Sequence, residues 1–256
     1  MIEYLDIYKA FDVPVLSGVS LTVETGETLS VVGPSGTGKS VLLKTTLGLI
    51  IPDRGDVLID GRSVYGSDRN ALHEIRRQVG YVFQYAALFD SMNVFENVSQ
   101  GLPDDVLRQL PKRDILRRVC DSLDAVNLDP AAILGKLPAE LSGGMRKRVG
   151  LARAIVGEPK ILLYDEPVTG LDPVNTAAVA HLITEIAERM GVTSIVVTHD
   201  IEGALEISDR VGLLDHGRLR FVGTPDEFKH SDDPVVHSFA DRHAAAAAAL
   251  KIMEEP

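Results

Sequence analysis

The run Gly33-Pro34-Ser35-Gly36-Thr37-Gly38-Lys39-Ser40 has the spacing G-x-x-x-x-G-K-S. Leu29-Ser30-Val31-Val32, just before it, reads as a buried strand, and Ser40 to Leu49 reads as a helix. A glycine loop that leaves a strand and opens a helix is the setting in which this spacing cradles phosphate. Glycines let backbone N–H groups turn inward around phosphate oxygens. The helix N-terminus adds a partial positive charge. Lys39 is expected to reach the β- and γ-phosphates and the Ser40 hydroxyl to ligate Mg2+, with Pro34, Ser35, Gly36 and Thr37 forming the cradle between them. A plain glycine-rich turn is the alternative, and the flanking strand and helix weigh against it.

Outward from this loop the chain alternates strands and helices. Val19, Leu21 and Val23 are apolar while Ser20 and Thr22 are polar, the mark of a half-buried strand. Asp60-Gly61, set between strand-like Val57–Ile59 and Arg62–Val64, signals a hairpin. Val79–Phe83 is a further strand. From about Leu88 to Ile155 helical periods dominate, punctuated by Pro103, Pro111, Pro130 and Pro138, and imply a helical insert. Strands return at Ile161–Tyr164 and Ser194–Thr198. Between them Val179, Leu182, Ile183, Ile186 and Met190 line one helix face that Gly191 stops. Val211–Leu214 and Arg220–Val222 read as a terminal hairpin. The order predicts a mostly parallel α/β sheet. Ala244–Ala249 favours a C-terminal helix appended to it.

Ile161-Leu162-Leu163-Tyr164-Asp165-Glu166 ends a buried strand in two carboxylates, at the edge where parallel sheets bind ligands. Asp165 is placed to hold Mg2+, directly or through water, and Glu166 to polarise an attacking water. Alone, the pair would read as an acidic turn after a core strand; beside a phosphate loop it reads as chemistry.

With 45% hydrophobic and 25% charged residues, the composition is that of a globular chain and excludes a disordered or fibrous one. The 256 residues carry 26 Lys+Arg against 37 Asp+Glu, a net charge of −11. That acidic balance argues against general nucleic-acid binding. The single cysteine, Cys120, allows no intrachain disulfide and fits a reducing compartment. Met1–Asp6 lacks the basic and apolar regions of a signal peptide. The most apolar stretch, Val41–Ile51, contains Lys44 and is far short of the ~20 residues of a membrane span.

A third motif, Leu141-Ser142-Gly143-Gly144-Met145, leads into the basic helical run Arg146–Arg153. It is a second glycine loop at a helix start, hence a second anion site, or else a surface helix capped by Ser142. With the first two motifs it closely resembles the signature loop of ABC-transporter ATPase subunits. The resemblance runs from Ile2 to about Phe228. Phe11 sits where the family stacks adenine, Gln84 matches the Q-loop glutamine, Leu171-Asp172 match the D-loop, and His199 matches the switch histidine.

The resemblance implies a RecA-like core (about 1–87 and 156–230) with an antiparallel β-subdomain and a helical subdomain (about 88–155). Together they would form an ATPase domain over 1–230, followed by a C-terminal helical extension over 231–256. It implies a head-to-tail homodimer with each ATP between Gly33–Ser40 of one chain and Ser142–Gly144 of the other, and it counts Asp172 among the nucleotide-binding residues. Ser40, Gln84 and Asp165 would hold Mg2+, Lys39 would neutralise phosphate, Glu166 would act as base, and His199 would contact the γ-phosphate.

Met145, where most members have Gln, and the stretch Ala87-Leu88-Phe89-Asp90 are similar to Mla-type (MCE-associated) phospholipid transporters. That likeness implies an integral-membrane permease, an MCE-domain lipid-binding protein and a small regulatory subunit as partners, at the cytoplasmic face of the inner membrane. Another ABC system with a polar substrate is the alternative. Leu88, Phe89 and Phe95 could line a permease groove or pack the insert. The basic face after Met145 could be solvated or meet a partner. The C-terminal helix could dock on its own core, clasp a second protomer or bind the regulatory subunit.

Overall fold

The computed structural model describes residues 1–66 and 69–239. In chain order the elements begin with β1 (Ile2–Ala10), β2 (Pro14–Val23), β3 (Thr28–Val32), α1 (Lys39–Thr46), β4 (Arg54–Ile59), β5 (Arg62–Ser63), α2 (Arg69–Arg77) and β6 (Val79–Val82). Then come α3 (Val94–Ser99), α4 (Asp104–Gln109), α5 (Lys112–Asp124), α6 (Pro130–Ile133), a 3-10 turn at Pro138–Glu140 and α7 (Gly143–Ile155). The last are β7 (Ile161–Asp165), α8 (Pro173–Met190), β8 (Thr193–Thr198), α9 (Ile201–Ile207), β9 (Arg210–Asp215), β10 (Arg218–Gly223) and α10 (Pro225–Lys229). Two compact units result: Met1–Tyr65 with Ile195–Pro256, and Gly66–Ser194.

In the first unit an antiparallel sheet takes the order β2-β1-β4-β5, with Ile2 opposite Val23 and Tyr4 opposite Leu21. Val19, Leu21 and Val23 turn inward, as their alternation requires. The hairpin at Asp60-Gly61 has positive φ at both residues, 49° and 73°, which matches the twist of its strands. A second sheet runs β10-β9-β3-β8 in this unit, β9 being parallel to β3 and antiparallel to β10. All of β3 is buried, the polar Thr28 and Ser30 included, so both of its faces are covered.

Residues 234–239 are helical, and Val236 and Phe239 are buried with Val32, Val211, Leu213 and Phe228. The start of the C-terminal extension thus docks on its own core. Ala244–Ala249 lie outside the described residues.

The second unit pairs β6 and β7 in parallel, Val79 opposite Ile161 and Val82 opposite Tyr164. Its helices α3 to α7 fill the span expected to be a helical insert. The prolines sit where an N–H is not needed: Pro103 and Pro111 cap α4 and α5, and Pro130 and Pro138 open their helical turns. Gly191, with φ 61°, stops α8.

Two local expectations need correcting. The helix predicted over Ser40–Leu49 ends at Thr46, because Gly48 turns left-handed (φ 61°) and the Gly48 and Leu49 N–H groups close back onto Thr45 and Lys44. Helix α2 was not expected: its charged, short sequence carries few apolar residues, and Ile75 alone among its hydrophobic positions is fully buried.

Candidate functional site

In the first unit, β3 delivers the chain to Gly33, and α1 begins at Lys39 after Gly38 in the left-handed region. At Gly33, φ is 153°, and a Cβ there would lie 2.1 Å from the Leu214 carbonyl oxygen. At Gly38, φ is 102°, and a Cβ would lie 2.9 Å from the Val15 carbonyl oxygen. Both positions therefore exclude any side chain on two counts, backbone angle and space. The Lys39 ammonium is buried and donates to the carbonyls of Gly33 (2.8 Å) and Pro34 (3.0 Å), while the Thr37 hydroxyl donates to Pro34 (2.9 Å). The loop thus organises its own cation. Phe11 is 60% exposed, and the Lys9 ammonium, held at 2.8 Å by Asp53, lies 5.3 Å from its ring centroid. His199 is exposed just past β8, before Asp200, which caps α9 through the Gly203 N–H at 3.1 Å.

In the second unit, β7 ends in Asp165 and Glu166, 6% and 8% exposed. The Tyr81 hydroxyl donates to the Asp165 carboxylate at 2.9 Å. Burial, and then the Asp165 charge, push the Tyr81 phenol well above its usual range, so it stays a donor. Glu166 has φ 50°, an uncommon conformation for a residue with a side chain, and its carboxylate accepts from the Thr169 hydroxyl at 3.1 Å. Gln84 follows β6, and its carbonyl accepts from the Lys147 ammonium, which also reaches the Glu166 carbonyl at 3.4 Å. The structure therefore brings Gln84, Asp165 and Glu166 into one hydrogen-bonded neighbourhood of this unit.

Ser142 caps α7, its hydroxyl accepting from the Met145 N–H at 3.2 Å. Gly143 has open space where a Cβ would stand. Gly144 faces the Asn175 amide, 2.5 Å from where its Cβ would lie. Asp172 caps α8 by accepting from the Asn175 N–H (3.0 Å) and side-chain amide (2.5 Å). Those bonds hold the exposed Asp172 carboxyl below its usual range.

The basic run after Met145 is engaged within its own unit while Arg146 stays exposed. Arg146 donates to Leu141 (2.6 Å), Arg148 to Asn127 (2.9 Å), and Arg153 to Ala87 (2.7 Å) and Ala86 (2.5 Å), all carbonyls of the same unit. Sequence reasoning missed Tyr81, Thr169 and Lys147 as parts of this neighbourhood. For Lys147 a signal existed: Gly144, Lys147, Leu151 and Ala154 fall at helical spacing on the buried stripe of α7. Asn97 was missed as well. Fully buried, it bonds both backbone groups of Phe89 and the Met92 carbonyl, and so fixes the loop after Gln84.

The sequence model of the ABC transporter family matches residues 16–169. The chain is 39% identical over 227 residues to the intermembrane phospholipid transport system ATP-binding protein MlaF of Escherichia coli K12, covering 89% of this chain and 83% of that one. It is 40% identical over 227 residues to the probable ribonucleotide transport ATP-binding protein mkl of Mycobacterium tuberculosis H37Rv, covering 86% of this chain. It spans 60% of that mycobacterial relative's length. Among solved structures it resembles a dimeric, post-hydrolysis form of the ATP-binding cassette MJ0796 bound to ADP and Pi, with a TM-score of 0.79 and 29% identity. That match covers 88% of this chain and 99% of the other.

Proposed function

The chain belongs to the ABC transporter family, and on that premise we propose that it is the ATP-binding and ATP-hydrolysing subunit that energises a phospholipid transporter between bacterial membranes. The observation that carries the ATPase reading is the loop Gly33–Ser40, whose backbone admits no side chain at Gly33 or Gly38 and whose Lys39 is held by the loop's own carbonyls, a combination that suits a polyphosphate. The lipid reading rests on the likeness to MlaF, which extends over most of both chains, and on Met145.

Phosphoryl transfer needs positioning and charge neutralisation more than covalent chemistry. Backbone N–H groups of the loop and the Lys39 ammonium receive the phosphates, and Phe11 stacks on the adenine. Glu166 orients and deprotonates the attacking water, and His199 contacts the γ-phosphate. Ser40, Gln84 and Asp165 offer a hydroxyl, an amide and a carboxylate, an all-oxygen set suited to Mg2+, which takes few protein ligands beside phosphates and waters. The Tyr81 hydrogen bond aims the Asp165 carboxylate for that role. Bound Mg2+ would neutralise charge on the phosphate oxygens.

The active unit is a head-to-tail homodimer in which Ser142–Gly144 and Asp172 of one chain complete the site of the other. The domain division is a core (about 1–87 and 156–230), a helical subdomain (about 88–155) and an extension from 231. Among the described residues no helix is long and apolar enough to cross a membrane. The subunit works on an integral-membrane permease at the cytoplasmic face of the inner membrane. The exposed Phe83, Tyr85 and Phe89 support a permease-docking role for the segment after β6. An MCE-domain protein and a small regulatory subunit complete the assembly.

Glu166→Gln is expected to keep ATP affinity and to lower turnover at least ~100-fold. Fluorescent-nucleotide titration and phosphate release measure the two, and near-native turnover would remove Glu166 as the base. The ribonucleotide name of the mycobacterial relative favours a polar substrate as the second reading. Co-purification from native membranes separates the two. An MCE-domain protein among the partners supports the lipid reading, and periplasmic binding components for polar solutes overturn it.

A further inference from the structure

We propose that Lys147 is a positioning residue for ATP hydrolysis, tying the backbone of the turn at Gln84 to the backbone of Glu166. The inference rests on the ATPase reading above and adds a residue outside the candidate set.

Lys147 lies on the buried stripe of α7 and is only 9% exposed. A buried ammonium is costly unless its donors are used. Burial pulls its pKa down, partly opposed by the Glu166 charge. Lysine offers three donors and no acceptor, and the two partners found for it are backbone carbonyls: Gln84 and Glu166. Both belong to residues assigned to the reaction. Glu166 sits at φ 50°, a backbone state that surrounding structure must hold in place.

The same face of α7 continues the grip on the turn. Gly150 lies against Ala86, where a Cβ would come within 3.1 Å of the Ala86 Cβ. The Arg153 fork bonds the Ala86 and Ala87 carbonyls. Ala86 and Ala87 have φ of 59° and 46°, also left-handed. Lys147, Gly150 and Arg153, spaced by three, thus hold the turn after Gln84, and Lys147 carries the connection on to Glu166. Removing its ammonium leaves the loop Gly33–Ser40 intact as the ATP receptor but loosens the base. The loss is expected in kcat rather than in affinity.

The test uses the full chain with Lys147→Met and Lys147→Arg, and Lys147→Met in the Glu166→Gln background. Steady-state hydrolysis gives kcat and KM, fluorescent ATP gives Kd, and hydrogen exchange follows segments 83–88 and 165–169. Lys147→Met is expected to lower kcat by about tenfold with Kd nearly unchanged. It should also speed exchange in both segments. Lys147→Arg, which can donate to both carbonyls, should recover most of kcat. In the Glu166→Gln background Lys147→Met should remove nothing further. Native kcat or unchanged exchange in Lys147→Met would overturn the proposal, as would kcat and affinity falling together. If Lys147→Met does not fold, Lys147→Gln serves in its place under the same criteria. If the native chain bound no ATP, the ATPase reading would fail, and the exchange comparison would still decide whether Lys147 ties the two segments.

Discussion

The first glycine loop, Gly33–Ser40, and the second, Ser142–Gly144, use the same residue for different ends. In the first, positive φ at Gly33, Gly36 and Gly38, with neighbouring carbonyls within 3 Å of a Cβ at Gly33 and Gly38, makes glycine a requirement of the backbone. The loop also holds its own lysine. In the second, the glycines begin an ordinary capped helix, neither has positive φ, and Gly143 faces open space. At Gly143 glycine is not needed for the chain to fold, and it leaves room for something that approaches from outside, whereas at Gly144 a Cβ would meet the Asn175 side chain. The contrast between the two loops is what the proposed composite site between two chains calls for.

Substitutions at each loop sharpen or break that contrast. The largest effect belongs to Gly33→Ala: about 3 kcal/mol or more of stability lost, because a methyl group meets the Leu214 carbonyl, together with ATP binding. A thermal melt and a nucleotide titration read both, and a variant of native stability would show that the loop yields more easily than its packing implies. Ser142→Ala is next, costing about 1 kcal/mol through the lost cap while leaving ATP affinity of the single chain alone. The smallest effect on folding is expected from Gly143→Ala. Its methyl group enters open space at a helix start, so stability should hold or rise by up to ~1 kcal/mol, while turnover falls because the partner loop has less room. A Gly143→Ala chain that both melts and turns over like the native one would erase the distinction between the loops.

Much of this was legible along the chain because it is local. An eight-residue spacing fixes a turn, a helix start and a lysine together. Asp60-Gly61 sets its hairpin by two backbone angles, and the alternation from Val19 to Val23 sets which side is buried. What escaped depends on partners far off in sequence. The short, charged α2 has too few apolar residues to announce a helix. The basic run after Met145 gave no hint that Arg153 would cap the Ala86 and Ala87 carbonyls, nor Lys147 those of Gln84 and Glu166. The pairing of Tyr81 with Asp165 needs β6 laid beside β7.

The sequence by itself determined the motifs, most of the order of strands and helices with α2 the exception, and the chemistry available at each strand end. Those follow from backbone preference and hydrophobic period within a few residues. Only the tertiary structure decided that the first turn of the C-terminal extension packs on its own core, and that basic side chains of α7 reach carbonyls of its own unit. It also decided that a lysine ties the turn at Gln84 to Glu166. A carbonyl advertises nothing in a sequence, since every residue has one, and the fold selects which of them a buried cation will satisfy.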